Sequence, residues 1–296
     1  MVAWLRRGLA AAQVAGDRSD LWLVGSLGWL AYLGWLPLLL VLAQPDANDL
    51  AFLGISLYTS SAFPLNAFAL GAAAVATFSL LCLVAAASEV VLLRNAGPGE
   101  TPGAPLRRAV MSAFTVTLVS TLPAVGAAAA VLMGVIAVAP AEFQSPDIGT
   151  PVLLRVAGDL LPYLVVFALA LLLGQAFGGL AIRCTQAASG RPVTATLAAA
   201  GRSLVRRPLT GIGVAGGGML LDALNLLFTF ALLRVLWAPI ATALADGRLA
   251  TPATLLLLLG FVAIWLALLL VGGALHVAVS AWWATELARG KGGGAH

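Results

Sequence analysis

The chain has 296 residues, of which 61% are hydrophobic and only 9% are charged. Soluble domains carry roughly 25% charged residues, so a water-soluble surface is excluded for a chain of this length, and we expect a bilayer to cover much of it. The net charge is +4. Because the basic residues fall between apolar stretches, they favour contact with membrane lipids and argue against nucleic-acid binding.

Six apolar stretches predict an all-α fold, a polytopic transmembrane helical bundle that forms one integral membrane domain over residues 1–296. Each stretch is long enough to cross a hydrocarbon core of about 30 Å as a helix. Lipid cannot satisfy exposed backbone groups, so the spans must be helical. The first stretch is too long for a signal peptide, and we expect it to be retained. The predicted spans are residues 21–43, 67–93, 109–138, 153–182, 209–237 and 252–283.

The distribution of basic residues predicts the orientation. Thirteen of the 16 Lys and Arg residues lie in the N-terminal segment, in the second-to-third and fourth-to-fifth loops, and in the tail. Because loops rich in Lys and Arg stay in the cytoplasm, we predict a bacterial plasma (inner) membrane protein with both termini cytoplasmic.

The fourth-to-fifth loop is predicted to contain a short amphipathic helix in the membrane interface. Apolar residues recur at helical spacing from Val193 to Leu204. Arg202, Arg206 and Arg207 would then meet lipid phosphates. Residues 4–14 form a weaker example. Two interpretations stay open for the loop helix, an ordinary orienting loop or a docking helix for a cytoplasmic protein partner.

Asp222 is the clearest ionisable residue inside a predicted span. It lies roughly 20 Å into the fifth span at the rise of an α-helix, and Asn225 shares its face. Gln175 and His276, on neighbouring spans, complete a predicted intramembrane polar layer. Asp222 and His276 could titrate together as in a proton relay, or the four residues could only tie helices together.

Two pairs of glycines have the spacing that allows close helix packing. Gly213 and Gly217 lie in the fifth span, and Gly174 and Gly178 in the fourth. A Gly-x-x-x-Gly spacing removes side chains from one face, so a neighbouring backbone can approach closely. We therefore expect both pairs to lie at helix–helix contacts.

Two acidic residues lie near the predicted cytoplasmic ends of their spans. Glu89 closes the second span and Glu286 follows the sixth. Long side chains at such positions reach the interface, so we expect them to extend to water or to pair with Arg94 or Arg289.

The sequence excludes several kinds of enzyme site. Its two histidines are His276 and the final residue, His296, which rules out a His-Glu-x-x-His motif, a three-histidine zinc site and paired-histidine haem ligation within one chain. No phosphate-binding P-loop or dinucleotide-binding fingerprint is present. We therefore predict no catalytic, metal or cofactor site, and a protein that is not an enzyme.

One segment resembles a known group of bacterial membrane proteins. Gly190-Arg191-Pro192-Val193 is followed by Arg202 and by Arg206-Arg207-Pro208, which lead into a Gly-rich span. This order resembles six-helix proteins of the glycerophosphoryl diester phosphodiesterase membrane-domain type over residues 165–235. The resemblance implies a six-helix membrane fold. It implies no hydrolase activity, because the chain lacks a soluble phosphodiesterase domain, and its second-to-third loop is shorter than in that group.

The sequence leaves two hypotheses for function. The first is a non-enzymatic transport or permease-like component, in which the polar layer acts on a substrate and the loop helix receives a cytoplasmic partner such as an ATPase subunit. The second is a structural or accessory subunit that packs into a larger membrane complex through its glycine faces.

Overall fold

The computed structural model describes residues 2–44, 56, 58–96, 105–144, 152–187, 192–247 and 251–292. Throughout these residues the regular structure is helical, and none of them belongs to a β-strand. Apolar runs rich in Ala and Leu explain this, because both residues are strong helix formers. The predicted all-α class is confirmed.

The helices follow the order of the apolar stretches. Two further short helices, at Val2–Asp17 and Val193–Arg206, lie outside these stretches. A 3₁₀ turn at Ser19–Leu21 precedes the second helix, and a π-helical segment at Leu30–Gly34 follows it. The helix predicted in the fourth-to-fifth loop is present as α7. The helices are α1 (Val2–Asp17), α2 (Trp22–Trp29), α3 (Leu36–Ala43), α4 (Leu65–Ala96), α5 (Leu106–Gln144), α6 (Val152–Ala187), α7 (Val193–Arg206), α8 (Pro208–Ala245) and α9 (Pro252–Gly292).

Five of these helices, α4, α5, α6, α8 and α9, are long and apolar enough to cross a membrane. Their apolar parts contain between 28 and 38 residues, more than the roughly 20 that a bilayer core requires. Several therefore extend past the predicted ends of their spans. The apolar helices indicate a multi-pass membrane protein.

The first predicted span is broken, which corrects the expectation of one continuous helix over residues 21–43. Residues Ser19–Gly34 and Leu36–Ala43 meet at an angle of 50°, and the spans number six when this pair is counted as one. Pro37 lies in the first turn of α3. Proline has no backbone N–H and its ring collides with the carbonyl four residues earlier, so α2 cannot continue straight through this point.

The chain separates into two compact units of packed helices. The first unit comprises Met1–Pro102 and Leu220–His296, and the second comprises Gly103–Met219. Helix α8 is divided between them. Compact helical units are not necessarily separate domains, so the prediction of a single membrane domain stays untested.

In the first unit, α2 crosses α9 with almost no space between the two backbones. A Cβ atom on Gly25 would collide with the carbonyl oxygen of Gly273 and lie 2.9 Å from a methyl group of Val277. At the next residue, the Ser26 hydroxyl donates to the carbonyl of Leu269 at 3.0 Å, which adds a hydrogen bond between the helices. This contact sets how α2 lies against α9.

Two apolar clusters lie among the described residues of the first unit. One joins α3, α8 and α9, and its centre is Val41, Leu233, Ile240, Phe261 and Leu268. The other joins α1, the 3₁₀ turn, α4 and α9 through Ala15, Leu21, Leu92 and Val277. Helix α1, with 16 residues, therefore packs against the longer helices of the first unit.

In the second unit, α5 and α6 lie against each other along their length. A Cβ on Gly174 would come within 2.6 Å of the Ser120 carbonyl oxygen, and one on Gly178 within 2.7 Å of the Ser120 hydroxyl. These two glycines thus lie at a close helix contact, as their spacing predicts. Helix α7 packs against α6 and buries Thr196 and Ala200.

We expect Gly273→Ala to destabilise the protein. Its new methyl group would meet the Ser26 backbone nitrogen at 2.6 Å and collide with the Trp22 carbonyl, and overpacking of this kind costs about 1–3 kcal/mol. Gly260→Ala is the matched control on the same helix, because no neighbouring atom lies within 4 Å of its added Cβ. Thermal unfolding in detergent measures both variants. Equal stability of the two would contradict the crossing described here.

Candidate intramembrane polar site

Three polar side chains from two apolar helices meet inside the first unit. The Nε2 atom of His276 on α9 lies 3.4 Å from Oε2 of Glu89 on α4. The Ser280 hydroxyl, one turn along α9, donates to the other carboxylate oxygen, Oε1, at 2.7 Å. Both ionisable side chains are largely buried, with exposed fractions of 18% for His276 and 14% for Glu89. We call these three residues the Glu89–His276 cluster.

The cluster lies within the spans. Glu89 lies roughly 9 Å along its helix from Asn95, the last residue of that span. His276 lies roughly 15 Å along its own helix from Glu286, the last residue of the last span. An ionised side chain at the centre of a span costs about 2.5–3.5 kcal/mol on insertion scales. Placing a carboxylate and an imidazole together reduces this cost, because each can neutralise the other.

A glycine on α2 makes room for the cluster. A Cβ on Gly28 would collide with the Ser88 hydroxyl and lie 2.9 Å from Nε2 of His276. Ser88 is the neighbour of Glu89 on α4, and its hydroxyl donates to the carbonyl of Val24 at 2.7 Å. The three helices α2, α4 and α9 therefore close around the carboxylate and the imidazole only because residue 28 has no side chain.

A second carboxylate approaches the same imidazole. Asp222 on α8 is half-buried, and its carboxyl group interacts electrostatically with His276 and faces the indole of Trp29. Trp29 is fully buried, yet among the described residues its Nε1 atom has no partner with hydrogen-bond geometry. One imidazole thus lies near two carboxyl groups that come from different helices.

The π-helical segment brings a phenol to the same region. Tyr32 lies in this segment, and its ring centre is 6.5 Å from that of His276. π-Helical turns interrupt the regular hydrogen bonding of an α-helix and occur frequently at functional sites. The irregular part of the first span is therefore also the part that lies next to the ionisable residues.

The predicted polar layer stays a prediction. Asp222 and His276 lie close enough for electrostatic interaction. Asn225, one turn from Asp222, is buried, and its Nδ2 atom has no hydrogen-bond partner among the described residues. Gln175 is half-buried in the second unit. Its membership of a common layer stays a prediction.

Sequence reasoning missed Glu89 and Ser280 as members of the site. Glu89 was expected to pair with Arg94 or Arg289 or to reach water, and in the structure it contacts His276 and Ser280 of α9. The spacing of His276 and Ser280, four residues apart, places both on one face of a helix and was the available sign. For Glu286 the expectation was the same, and in the structure it forms an ion pair with Arg7 of α1.

The other predicted site residues have simpler surroundings. Gly213 and Gly217 are half-buried on α8. Arg202, Arg206 and Arg207 are all exposed, at the end of α7 and directly after it. Among the described residues, no group of three or more His, Cys, Asp or Glu side chains has the arrangement of a metal site.

No family model, curated protein or solved structure matches this chain. The resemblance to the glycerophosphoryl diester phosphodiesterase membrane-domain type therefore stays a prediction. What can be said of function follows from the site itself.

We expect Ser280→Ala to weaken the folded state by about 1.5–3 kcal/mol, the usual contribution of a hydrogen bond to a charged group. Thr285→Ala is the matched control on α9. The Thr285 hydroxyl donates to the Trp282 carbonyl of its own helix at 2.8 Å, so this substitution removes a hydrogen bond within one helix and not one between two helices. Unfolding of both variants in mixed detergent micelles gives the comparison. If Thr285→Ala lost as much stability as Ser280→Ala, the Glu89 hydrogen bond would not have the strength assigned to it.

Proposed function

We propose that the chain is a non-enzymatic transport component of the plasma or inner membrane, in which the Glu89–His276 cluster binds and releases a proton. The observation that carries this proposal is the contact between a carboxyl group and an imidazole within apolar helices, with a second carboxyl group close enough for electrostatic interaction. Ionisable residues inside spans are rare and costly, and by default they suggest an ion or proton pathway.

The chemistry of the cluster supports proton exchange. Carboxylate and imidazolium neutralise each other, and a proton that moves from His276 to Glu89 leaves two neutral groups. The hydroxyl of Ser280 can follow either state, because it donates to a carboxylate and accepts from a carboxylic acid. With Asp222 near the same imidazole, uptake of one proton changes the net charge of the site and hence the attraction between α4, α8 and α9.

Helix packing alone does not require charged residues. Serine, threonine and asparagine connect transmembrane helices at about 0.6–2 kcal/mol per contact, and α2 already uses Ser26 for this purpose. A site that only held helices together would gain little from an acid and a base that are costly to insert. This difference favours a role that depends on charge.

The broken first span supports a moving part at the same place. Discontinuous helices at the site are a recurring feature of transporters, and here the irregular segment Leu30–Gly34 contributes Tyr32 to the surroundings of His276. Helix ends at membrane depth are tolerated where neighbouring protein covers them.

The alternative is a structural or accessory subunit of a larger membrane complex, and one observation favours it. Every residue from Phe68 to Phe78 of α4 is exposed, and no neighbouring atom lies within 4 Å of a Cβ added at Gly71. This half of the helix is rich in alanine. Small residues at that density suit contact with another transmembrane helix.

For proton transport, we expect Glu89→Gln and His276→Gln each to lower proton flux at least tenfold, because neither amide side chain exchanges a proton. The purified chain is reconstituted in lipid vesicles, and a trapped pH-sensitive dye reports flux under an imposed pH gradient. Asp159→Asn, an exposed carboxyl group of the second unit, is the matched control and is expected to leave flux unchanged.

Elution profile and helical content establish first that each variant is folded. Two results would contradict the proposal, namely wild-type flux no faster than that of empty vesicles, or equal flux in all four proteins. A stoichiometric membrane partner on gentle purification, without proton flux, would support the accessory role.

For orientation, we expect six spans with both termini in the cytoplasm, because 13 of the 16 basic residues then lie on the inner side. In a background without Cys82 and Cys184, a cysteine at Gly247 should react with a membrane-impermeant maleimide in intact cells. A cysteine at Arg206 should react only after permeabilisation. The reverse pattern would overturn this orientation.

A further inference from the structure

The second unit gathers exposed arginines at one of its ends. Gly134 of α5 faces Leu160 of α6, whereas Ser120 faces Gly174 and Gly178, so the two helices are antiparallel. The beginning of α5 therefore lies beside the end of α6, and α7, which follows α6 in the chain, packs against both. We call the exposed basic residues at the beginning of α5 and at the end of α7 the arginine surface. They are Arg107, Arg108, Arg202, Arg206 and Arg207.

Among the described residues of the second unit, none at this end is acidic. In the sequence, residues 103–219 contain three acidic residues, Glu142, Asp147 and Asp159. Glu142 and Asp159 belong to the end of α5 and the beginning of α6, and Asp147 lies between those helices in the chain. The positive charge of the arginine surface is therefore not balanced within its unit, and a surface of one sign attracts the opposite charge.

Exposed apolar side chains accompany these arginines. Val205 is 81% exposed and Leu209 is 87% exposed, while the opposite face of α7 buries Thr196 and Ala200. Arg206 and Arg207 stand between the two apolar residues in the chain. Exposed aliphatic residues next to arginines fit the composition of a helix that lies in the membrane interface.

The position of the arginine surface along the spans gives its depth. Arg207 immediately precedes Pro208, where the span of α8 begins, and Arg107 and Arg108 follow Leu106, where the span of α5 begins. Residues at the start of a span lie at the level of lipid headgroups, where arginine side chains extend toward phosphate. A soluble acidic partner would leave Val205 and Leu209 in water.

We propose that the arginine surface binds the phosphate groups of anionic phospholipids, with Val205 and Leu209 inserted among the acyl chains. Arginine suits this ligand because its planar guanidinium matches phosphate with two parallel hydrogen bonds. This site is separate from the Glu89–His276 cluster, and the inference does not rest on proton transport. The ligand class is an anionic lipid surface.

The test compares lipid binding by two variants that lose equal charge. The first replaces Arg202, Arg206 and Arg207 with Gln, and the control replaces Arg155, Arg234 and Arg248, which are predicted to lie on the other side of the membrane. The full chain is held in neutral micelles and titrated with phosphatidylglycerol, and native mass spectrometry counts the bound lipids. We expect the apparent affinity to fall at least tenfold in the first variant and less than twofold in the control.

Further measurements make the outcome decisive. Phosphatidylcholine should bind wild type and both variants alike, and added salt should weaken phosphatidylglycerol binding to wild type most. If the triple variant does not fold, Arg206→Gln alone should lower the affinity about threefold while unfolding at the wild-type temperature in neutral micelles. Equal phosphatidylglycerol affinity in variant and control would overturn the proposal. So would binding of an acidic peptide, such as polyglutamate, that outcompetes the lipid.

Discussion

A bilayer interior offers no hydrogen-bond partner to a polar group and little stabilisation to a charge, and the arrangement of this protein follows from that constraint. Backbone groups are satisfied within long helices. Among the polar side chains, Ser26 and Ser88 donate to carbonyls of neighbouring helices, and Glu89 faces an imidazole and a hydroxyl. At the end of α7, by contrast, the arginines are exposed.

Close packing and polar contact depend on each other in the first unit. The absence of a side chain at Gly25 and Gly273 allows α2 to touch the backbone of α9. That approach brings Gly28 against His276 and leaves space for Ser88 and Glu89 of α4 to come close as well. If α2 stood further from α9, the carboxylate and the imidazole would be left open to lipid, which stabilises neither. The small residues therefore set the electrostatics of the site.

The sequence predicted what is local and missed what depends on the register between helices. Span positions follow from apolar length, which the chain carries in each segment by itself, and Asp222 is visible because a charge interrupts such a segment. The partners of Glu89 are not visible in this way, since Ser280 lies 191 residues further along the chain. The break in the first span was missed because Pro37 lies near the C-terminal end of that span, where a proline is often harmless, and the π-helical segment has no comparable sequence marker.

The division of the chain into units has a consequence for biosynthesis. The second unit is one continuous stretch, whereas the first is assembled from both ends of the chain, and α1 is joined to the end of α9 by Arg7 and Glu286. A ribosome adds about 5–20 residues per second, so Glu89 emerges roughly 10–40 seconds before His276 and Ser280. If α4 inserts during this interval, the carboxyl group of Glu89 has neither partner. The cost of an ionised side chain in the bilayer, about 2.5–3.5 kcal/mol on insertion scales, then stays uncompensated until the last helix arrives.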